Sequence, residues 1–117
     1  MVGSQLARLL VEEGFDVHAL IRRGSSTDKI QDIRPRINVV EGDLKSPESW
    51  SAALEKIRPE MAFHLAWITT PGVYLKSPDN LDLAGATLAL AGKLSDAGCR
   101  KLVSLGTCFE YDTNHER

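Results

Sequence analysis

Arg22 and Arg23 stand side by side in Ile21-Arg22-Arg23-Gly24-Ser25-Ser26, with two hydroxyls close behind them. Two guanidiniums and two serines in one short turn suit a phosphate group, held by charge-assisted hydrogen bonds; a solvated basic turn is the plainer reading. Gly42-Asp43-Leu44 sets a carboxylate acceptor beside an apolar side chain, fit for an amino group on a flat ring, though glycine-aspartate is also ordinary turn chemistry. His64-Leu65-Ala66-Trp67 carries an imidazole in an apolar run, which reads as a satisfied core residue rather than a catalyst. Ala66 is small enough to let backbone approach a ligand closely. Trp67 through Tyr74 line either a substrate pocket or a plain surface loop. In Gly106-Thr107-Cys108-Phe109-Glu110-Tyr111, Thr107 offers a hydroxyl to an alcohol or carbonyl, against the bland reading of a turn threonine. Nothing marks Glu110 as a perturbed acid, and Cys108 as a nucleophile would need His115 for its base. No set of residues has metal-ligand spacing.

The elements that must position these groups alternate along the chain. Val2-Gly3-Ser4-Gln5-Leu6-Ala7-Arg8-Leu9-Leu10-Val11-Glu12-Glu13 is a helical pattern with apolar residues at 2, 6, 9 and 10, closed by Gly14. Residues 16–22 read as a buried strand, and 24–35 as a loop with a short helix around Thr27–Ile33. A second strand covers Ile37–Glu41. Ser46 and Pro47 form an N-cap with a proline at the first helical position, and Trp50, Ala53, Leu54 and Ile57 continue an amphipathic helix up to Pro59. Met61–Trp67 is a third buried strand. Ser77-Pro78 repeats the cap, and the long helix behind it runs to Gly98. Its apolar positions cover two faces (Leu81, Ala84, Leu88, Ala91 and Leu83, Leu90, Leu94), which predicts deeper burial than for the other helices. Lys101–Leu105 is the fourth strand, followed by a polar tail.

With 117 residues, 43% of them hydrophobic, and a net charge of −2, the chain suits one ordinary globular domain. Such a balance gives no electrostatic footprint for nucleic acid or a membrane surface. Cys99 and Cys108 read as reduced thiols in a cytoplasmic protein, and no apolar run approaches membrane-spanning length.

Strands alternating with helices, in continuous apolar runs, indicate α/β architecture: a doubly wound, Rossmann-type parallel sheet covered on both faces. Ligands of such sheets sit off the carboxyl ends of the strands, so the chemistry is expected at residues 22–25, 42–45, 66–76 and 106–112. A helix, a glycine stop, a strand and then basic residues form the second half of a dinucleotide-binding βαβ unit. The first strand and its glycine-rich turn, which normally hold the pyrophosphate against the helix N-terminus, are not in the sequence. The sheet is therefore expected to be incomplete, missing its first strand. The arginine pair follows the strand that reads the adenosine ribose, where an acidic residue would accept from the 2′ and 3′ hydroxyls. Two arginines favour a 2′-phosphate instead, and hence NADP over NAD.

Taken together these residues resemble the extended short-chain dehydrogenase/reductase family, the NAD(P)-dependent sugar-nucleotide epimerases, dehydratases and reductases, over essentially the whole chain. Val2-Gly3-Ser4 resembles the end of the family's G-x-x-G-x-x-G turn, with Gly3 as its third glycine. Ile21 through Ser26 is similar to the second-strand end of NADP-using members. Gly42-Asp43-Leu44 matches the adenine-side G-D-L, and His64-Leu65-Ala66-Trp67 matches the H-x-A-A element beside the nicotinamide ribose. The resemblance thus assigns Gly3, Arg22, Arg23, Ser25, Asp43, Leu44 and Ala66 to the cofactor. It aligns Thr107, four residues before Tyr111, with the catalytic Ser/Thr of S-[ST]-x-x-x-Y.

The departures carry equal weight. No Tyr-x-x-x-Lys pair is present, and Cys108-Phe109 stands where dehydratases carry Asp-Glu, which points to epimerase or reductase parentage. The family's strand order places the missing strand between those at 16–22 and 61–67, leaving two exposed edges. The expectation is a partial NAD(P)-binding domain over 1–117, without turnover as it stands, from an enzyme acting on a nucleotide sugar and able to form a homodimer. The alternative is a non-catalytic nucleotide-binding or interaction module whose central gap another segment or a partner chain fills.

Overall fold

The structure, a computed structural model, describes residues 2–74 and 76–106. Helix α1 (Val2–Glu12) leads into strand β1 (His18–Ile21), and β2 (Asn38–Glu41) follows after two single turns of 3₁₀-helix at Asp28–Ile30 and Arg34–Arg36. A third such turn, Pro47–Ser49, opens onto α2 (Ser51–Ile57); β3 (Met61–His64), α3 (Asp79–Asp96) and β4 (Lys101–Ser104) complete the order.

Two helices end in the same way. Gly14 (φ +86°) lets the N–H of Phe15 reach the carbonyl of Leu10 at 2.9 Å, while its own N–H donates to Val11 O at 3.1 Å. Gly98 (φ +82°) repeats this pattern, with Cys99 N–H on Leu94 O and Gly98 N–H on Ser95 O. Both close the last orphan carbonyls of a helix and turn the chain into the next strand, a conformation that only glycine adopts cheaply.

Both strand pairs are parallel. β1 and β2 run in register from His18↔Asn38 to Ile21↔Glu41, and β3 and β4 from Met61↔Lys101 to His64↔Ser104. The ladders form two separate two-stranded sheets, so β1 and β3 each pair on one side only among the described residues. This is the arrangement expected of a doubly wound sheet without its first strand, and it leaves Leu20, Met61 and Phe63 substantially exposed.

Successive residues of β2 show that the layer is covered on both faces. Val39 packs against the cluster of Val11, Val17, Ile33 and Ile37, to which α1 adds Ala7 and Leu10. Val40, one residue on and so on the opposite face, packs against Leu44, Trp50, Leu83 and Ala86, where Leu54 and Leu90 bring in α2 and α3. Arg8 ties α1 to the intervening segment: its guanidinium donates to both carboxylate oxygens of Asp32, at 2.7 and 2.8 Å, and to the carbonyl of Lys29.

Several expectations need correction. The strand expected over 16–22 is shorter, and that over Met61–Trp67 ends at His64. The buried face of α1 is Ala7, Leu10 and Val11, while Val2 and Leu9 are exposed, because β1 and the segment 30–37 meet the helix from that side. Ser46 does not cap α2 with its side chain. Instead the Ser49 hydroxyl donates to the Ser46 carbonyl at 2.6 Å, and a 3₁₀ turn separates the serine from the helix. Helix α3 is not buried on two faces. Leu83, Ala86 and Leu94 face the core, whereas Leu81 and Leu88 are 80% and 75% exposed.

Candidate functional site

Two sets of residues lie at the carboxyl ends of the strands. The first is at β1 and β2. Beyond Ile21 the ladder extends by one bond, Gly42 N–H to Ile21 O at 3.0 Å, so the two chains leave the sheet side by side. The β1 chain then turns at once: Ser25 N–H donates to Arg22 O at 3.0 Å, with Gly24 at φ +76°. That turn holds Arg22, Arg23 and Ser25 exposed at its rim. Arg23 Nε donates to Glu41 Oε1 at 2.5 Å, an ion pair between the last residue of β2 and the second residue after β1. The hydrogen bond to Glu41 and its negative charge raise the Arg23 pKa further, keeping the guanidinium charged at any physiological pH.

On the β2 side the backbone is fixed by one serine. A Cβ on Gly42 would lie 2.9 Å from Ser49 Oγ and 3.1 Å from the Ser49 carbonyl oxygen, so this position is closed to any larger residue without a shift. Ser49 Oγ accepts from Asp43 N–H at 3.0 Å, and Asp43 Oδ1 accepts from Lys45 N–H at 3.0 Å. The Asp43 carboxylate is therefore oriented by its own turn, half-buried beside the arginines' strand. Leu44 is different from expectation. It is 8% exposed and packs with Trp50, Leu83 and Ala86, so its side chain belongs to the core and is not available to cover a ring.

The second set lies beyond β3 and β4. His64 is 5% exposed, and its Nε2 lies 2.8 Å from Thr87 Oγ1. The Thr87 hydroxyl spends its hydrogen on Leu83 O at 2.7 Å, so Nε2 is the donor to Thr87. Burial lowers the His64 pKa and favours the neutral ring, in keeping with a core role for this histidine. Leu105 N–H reaches His64 O at 3.2 Å, again extending the ladder past the strands. Ala66 and Trp67 follow in the open.

Gly3 joins this end of the molecule. A Cβ there would sit 3.4 Å from Leu65 Cδ1, so the first turn of α1 lies against the chain leaving β3. The structure thus brings Gly3 next to Leu65, and Arg23 next to Glu41. Thr107, with Cys108, Glu110 and Tyr111, lies outside the described residues. Glu41 and Ser49 were missed by sequence reasoning. Neither carries a motif, and each acts only because the fold sets it beside a residue that does.

Two open surface hollows, of about 340 and 450 Å³, are lined by Glu55, Arg58, Lys93, Asp96 and Ala97, and by residues of α3 with Lys45 and Pro47. Neither includes any strand-end residue above. Among the described residues no group of three or more His, Cys, Asp or Glu side chains could hold a metal ion. No described helix is long and apolar enough to cross a membrane.

Comparison with known proteins agrees with this fold. The model of the NAD dependent epimerase/dehydratase family matches residues 1–117. The chain belongs to the NAD-dependent epimerase/dehydratase family. GDP-mannose 4,6 dehydratase 1 of Arabidopsis thaliana is 32% identical over 119 residues, covering 93% of this chain and 32% of the plant protein. The crystal structure of gox2253 superposes with a TM-score of 0.70 at 25% identity, covering 89% of this chain and 30% of that one. The chain therefore spans about a third of the length of these relatives. Family membership implies a nicotinamide dinucleotide, and the adenosine-side groups fit one: exposed guanidiniums, a hydroxyl and an oriented carboxylate stand together where two strands end.

Proposed function

We propose that these residues form the adenosine half of an NADP site in an epimerase or reductase acting on a nucleotide sugar. The observation that carries this reading is the Arg22–Ser25 turn, exposed at the carboxyl end of β1 and next to Asp43 at the end of β2. Arg22, Arg23 and Ser25 would hold the 2′-phosphate, Asp43 the adenine amino group, and Gly3 and Ala66 would let backbone approach the rest of the dinucleotide. Bound NADP supplies a hydride acceptor or donor. Thr107 would bind and polarise the reacting alcohol or carbonyl.

The relative in Arabidopsis is named as a dehydratase, whereas Cys108-Phe109 in this chain replaces the acidic pair of dehydratases. An identity of 32% supports shared ancestry, and that replacement favours epimerase or reductase chemistry over dehydration. Without a Tyr-x-x-x-Lys pair, residues 1–117 by themselves recognise the adenosine end weakly and turn nothing over. The setting we infer is cytoplasmic, with Cys99 as a free thiol. The test is direct. NADPH is titrated against Trp50 and Trp67 fluorescence, and NADPH oxidation is followed with nucleotide-sugar ketones. Weak binding that discriminates against NADH, with no oxidation, is expected; steady hydride transfer would overturn the inactive reading.

One observation favours a homodimer as the quaternary state. Leu81 and Leu88 are strongly exposed on α3, and Gly85 and Gly92, on the same side of the helix, have open space where a Cβ would be. An antiparallel copy of α3 would lay each leucine over a glycine. Sedimentation of Leu88→Glu against the unaltered chain reads this; a monomer in both cases removes it.

A further inference from the structure

The charges at the ends of β1 and β2 cancel. Arg23 pairs with Glu41, and Arg22 and Asp43 stand beside them in sequence, two cations and two carboxylates within a few residues of a shared strand register. The pairing is also specific. Ile21 and Glu41 are register partners, the chains stay joined by the Gly42–Ile21 bond, and the turn closed by the Ser25–Arg22 bond contains Arg23, two residues past β1. Its Nε–H, the donor on the inner side of the guanidinium, is then taken by Glu41 Oε1 at 2.5 Å. Arg23 is 91% exposed and Glu41 55% exposed, so water surrounds the pair and nothing in the packing enforces it. Exposed pairs of this kind are weak. A stronger anion arriving at the turn can displace the carboxylate, but must compete with it and lie near its charge.

We propose that Glu41 is a specificity-determining residue of this site: by holding Arg23 it sets how strongly the turn prefers a 2′-phosphorylated adenosine over one with a free 2′-hydroxyl. The proposal rests on the 2′-phosphate reading above and adds to it. Arg22 remains available to a phosphate in every state of the site, whereas Arg23 becomes available only when Glu41 releases it. Removing the Glu41 charge frees a guanidinium and shifts the local balance from zero to one positive charge. Both effects favour a dianion, and neither acts on a hydroxyl.

The experiment uses the 117-residue chain and two small probes, adenosine 2′,5′-bisphosphate and adenosine 5′-monophosphate, which differ only in the 2′-phosphate. Binding is measured by calorimetry at low ionic strength for the unaltered chain, Glu41→Gln, Arg23→Ala and the double variant. All three substitutions are at exposed positions, and matching circular dichroism spectra verify that the fold is kept. Glu41→Gln is expected to tighten the bisphosphate by about three- to tenfold, the scale of one exposed charge pair plus a removed repulsion. It should change the monophosphate by less than about twofold, since no charge-assisted bond is at stake there. In the Arg23→Ala background the gain from Glu41→Gln should shrink to a small residue, because the carboxylate acts through that guanidinium. If the unaltered chain prefers the bisphosphate but Glu41→Gln leaves that preference unchanged, or if the gain persists in full without Arg23, the role of Glu41 is overturned and the 2′-phosphate reading stands. If neither the unaltered chain nor Glu41→Gln prefers the bisphosphate, the 2′-phosphate reading falls and this inference falls with it.

Discussion

At the ends of β1 and β2, exposed polar groups are arranged by turns, by short hydrogen bonds and by the pairing of the two strands, which sets Arg23 against Glu41. At the end of β3, one polar side chain, His64, is held by burial against a helix 23 positions further along the chain. The first region can be built from local sequence once two strands pair in register. The second depends on α3 docking over the sheet, since both Thr87 and the Leu83 that packs beside it come from that helix. Exposed polar groups thus collect at the paired strand ends, and the buried one where packing of a distant helix decides. This contrast can be broken at several places.

The largest effect is expected at Trp50, which is 3% exposed in the cluster joining Leu44 to α3 and whose indole N–H points at Leu44 O at 3.4 Å. Trp50→Ala should cost about 3–5 kcal/mol, a large part of the stability of a small domain, and should loosen both regions together. Guanidinium unfolding followed by circular dichroism measures this; a loss under 1 kcal/mol (about a third of the low end) would mean that the cluster does not join them.

Next comes the arginine turn. Arg22→Ala with Arg23→Ala should weaken NADPH by about 1.5–3 kcal/mol for each charge-assisted bond lost, with little change for NADH or for stability. Equal losses for the two cofactors, read by fluorescence titration, would remove the 2′-phosphate from the site.

Gly42→Ala probes the locally built region without touching a ligand group. Its Cβ would meet Ser49 Oγ and the Ser49 backbone oxygen, so a cost of about 1–3 kcal/mol is expected from overpacking. Ser49→Ala in the same chain should recover part of it, because the nearest of the three crowding atoms is gone. No recovery would place the strain on the Ser49 carbonyl oxygen and Leu20.

The smallest effect is the pH dependence at His64. Burial lowers its pKa in the folded chain below the ordinary 6.5, so the unfolded chain binds more protons as the pH falls past that value. Its contribution to stability is complete above the unfolded pKa and is lost as the pH drops towards the folded one, with a slope of at most about 1.4 kcal/mol per pH unit. His64→Gln keeps a donor towards Thr87 without a titrating group, and should flatten the stability profile just below neutrality. An unchanged profile in denaturant melts would assign that slope to other groups.

Much of this is legible in the sequence alone. The glycine stops at Gly14 and Gly98 announce helix ends, because a left-handed residue after an apolar helical run has few other uses. Arg22, Arg23 and Asp43 sit directly after strand patterns, so their placement at carboxyl ends follows from chain order alone. What failed is equally specific. Leu44 reads as a ring-covering residue beside Asp43, but the side chain turns inward to meet Trp50 and Leu83, which lie far along the chain. Helix α3 carries two apolar faces, and its sequence has no means to say which one the sheet takes. Ser49 and Glu41 look like ordinary polar residues until the turn at Gly42 and the pairing of β1 with β2 bring them into contact with Asp43 and Arg23.

The sequence by itself determined the alternation of helices and parallel strands, the family, and the groups gathered at the strand ends. These depend on periodicity, on backbone freedom at glycine and on short motifs, all local in the chain. The tertiary structure alone decides that Leu44 serves the core and that Arg23 is held by a carboxylate. Each of those rests on contacts between segments well separated in the chain, and a contact of that kind has no signature in either segment alone.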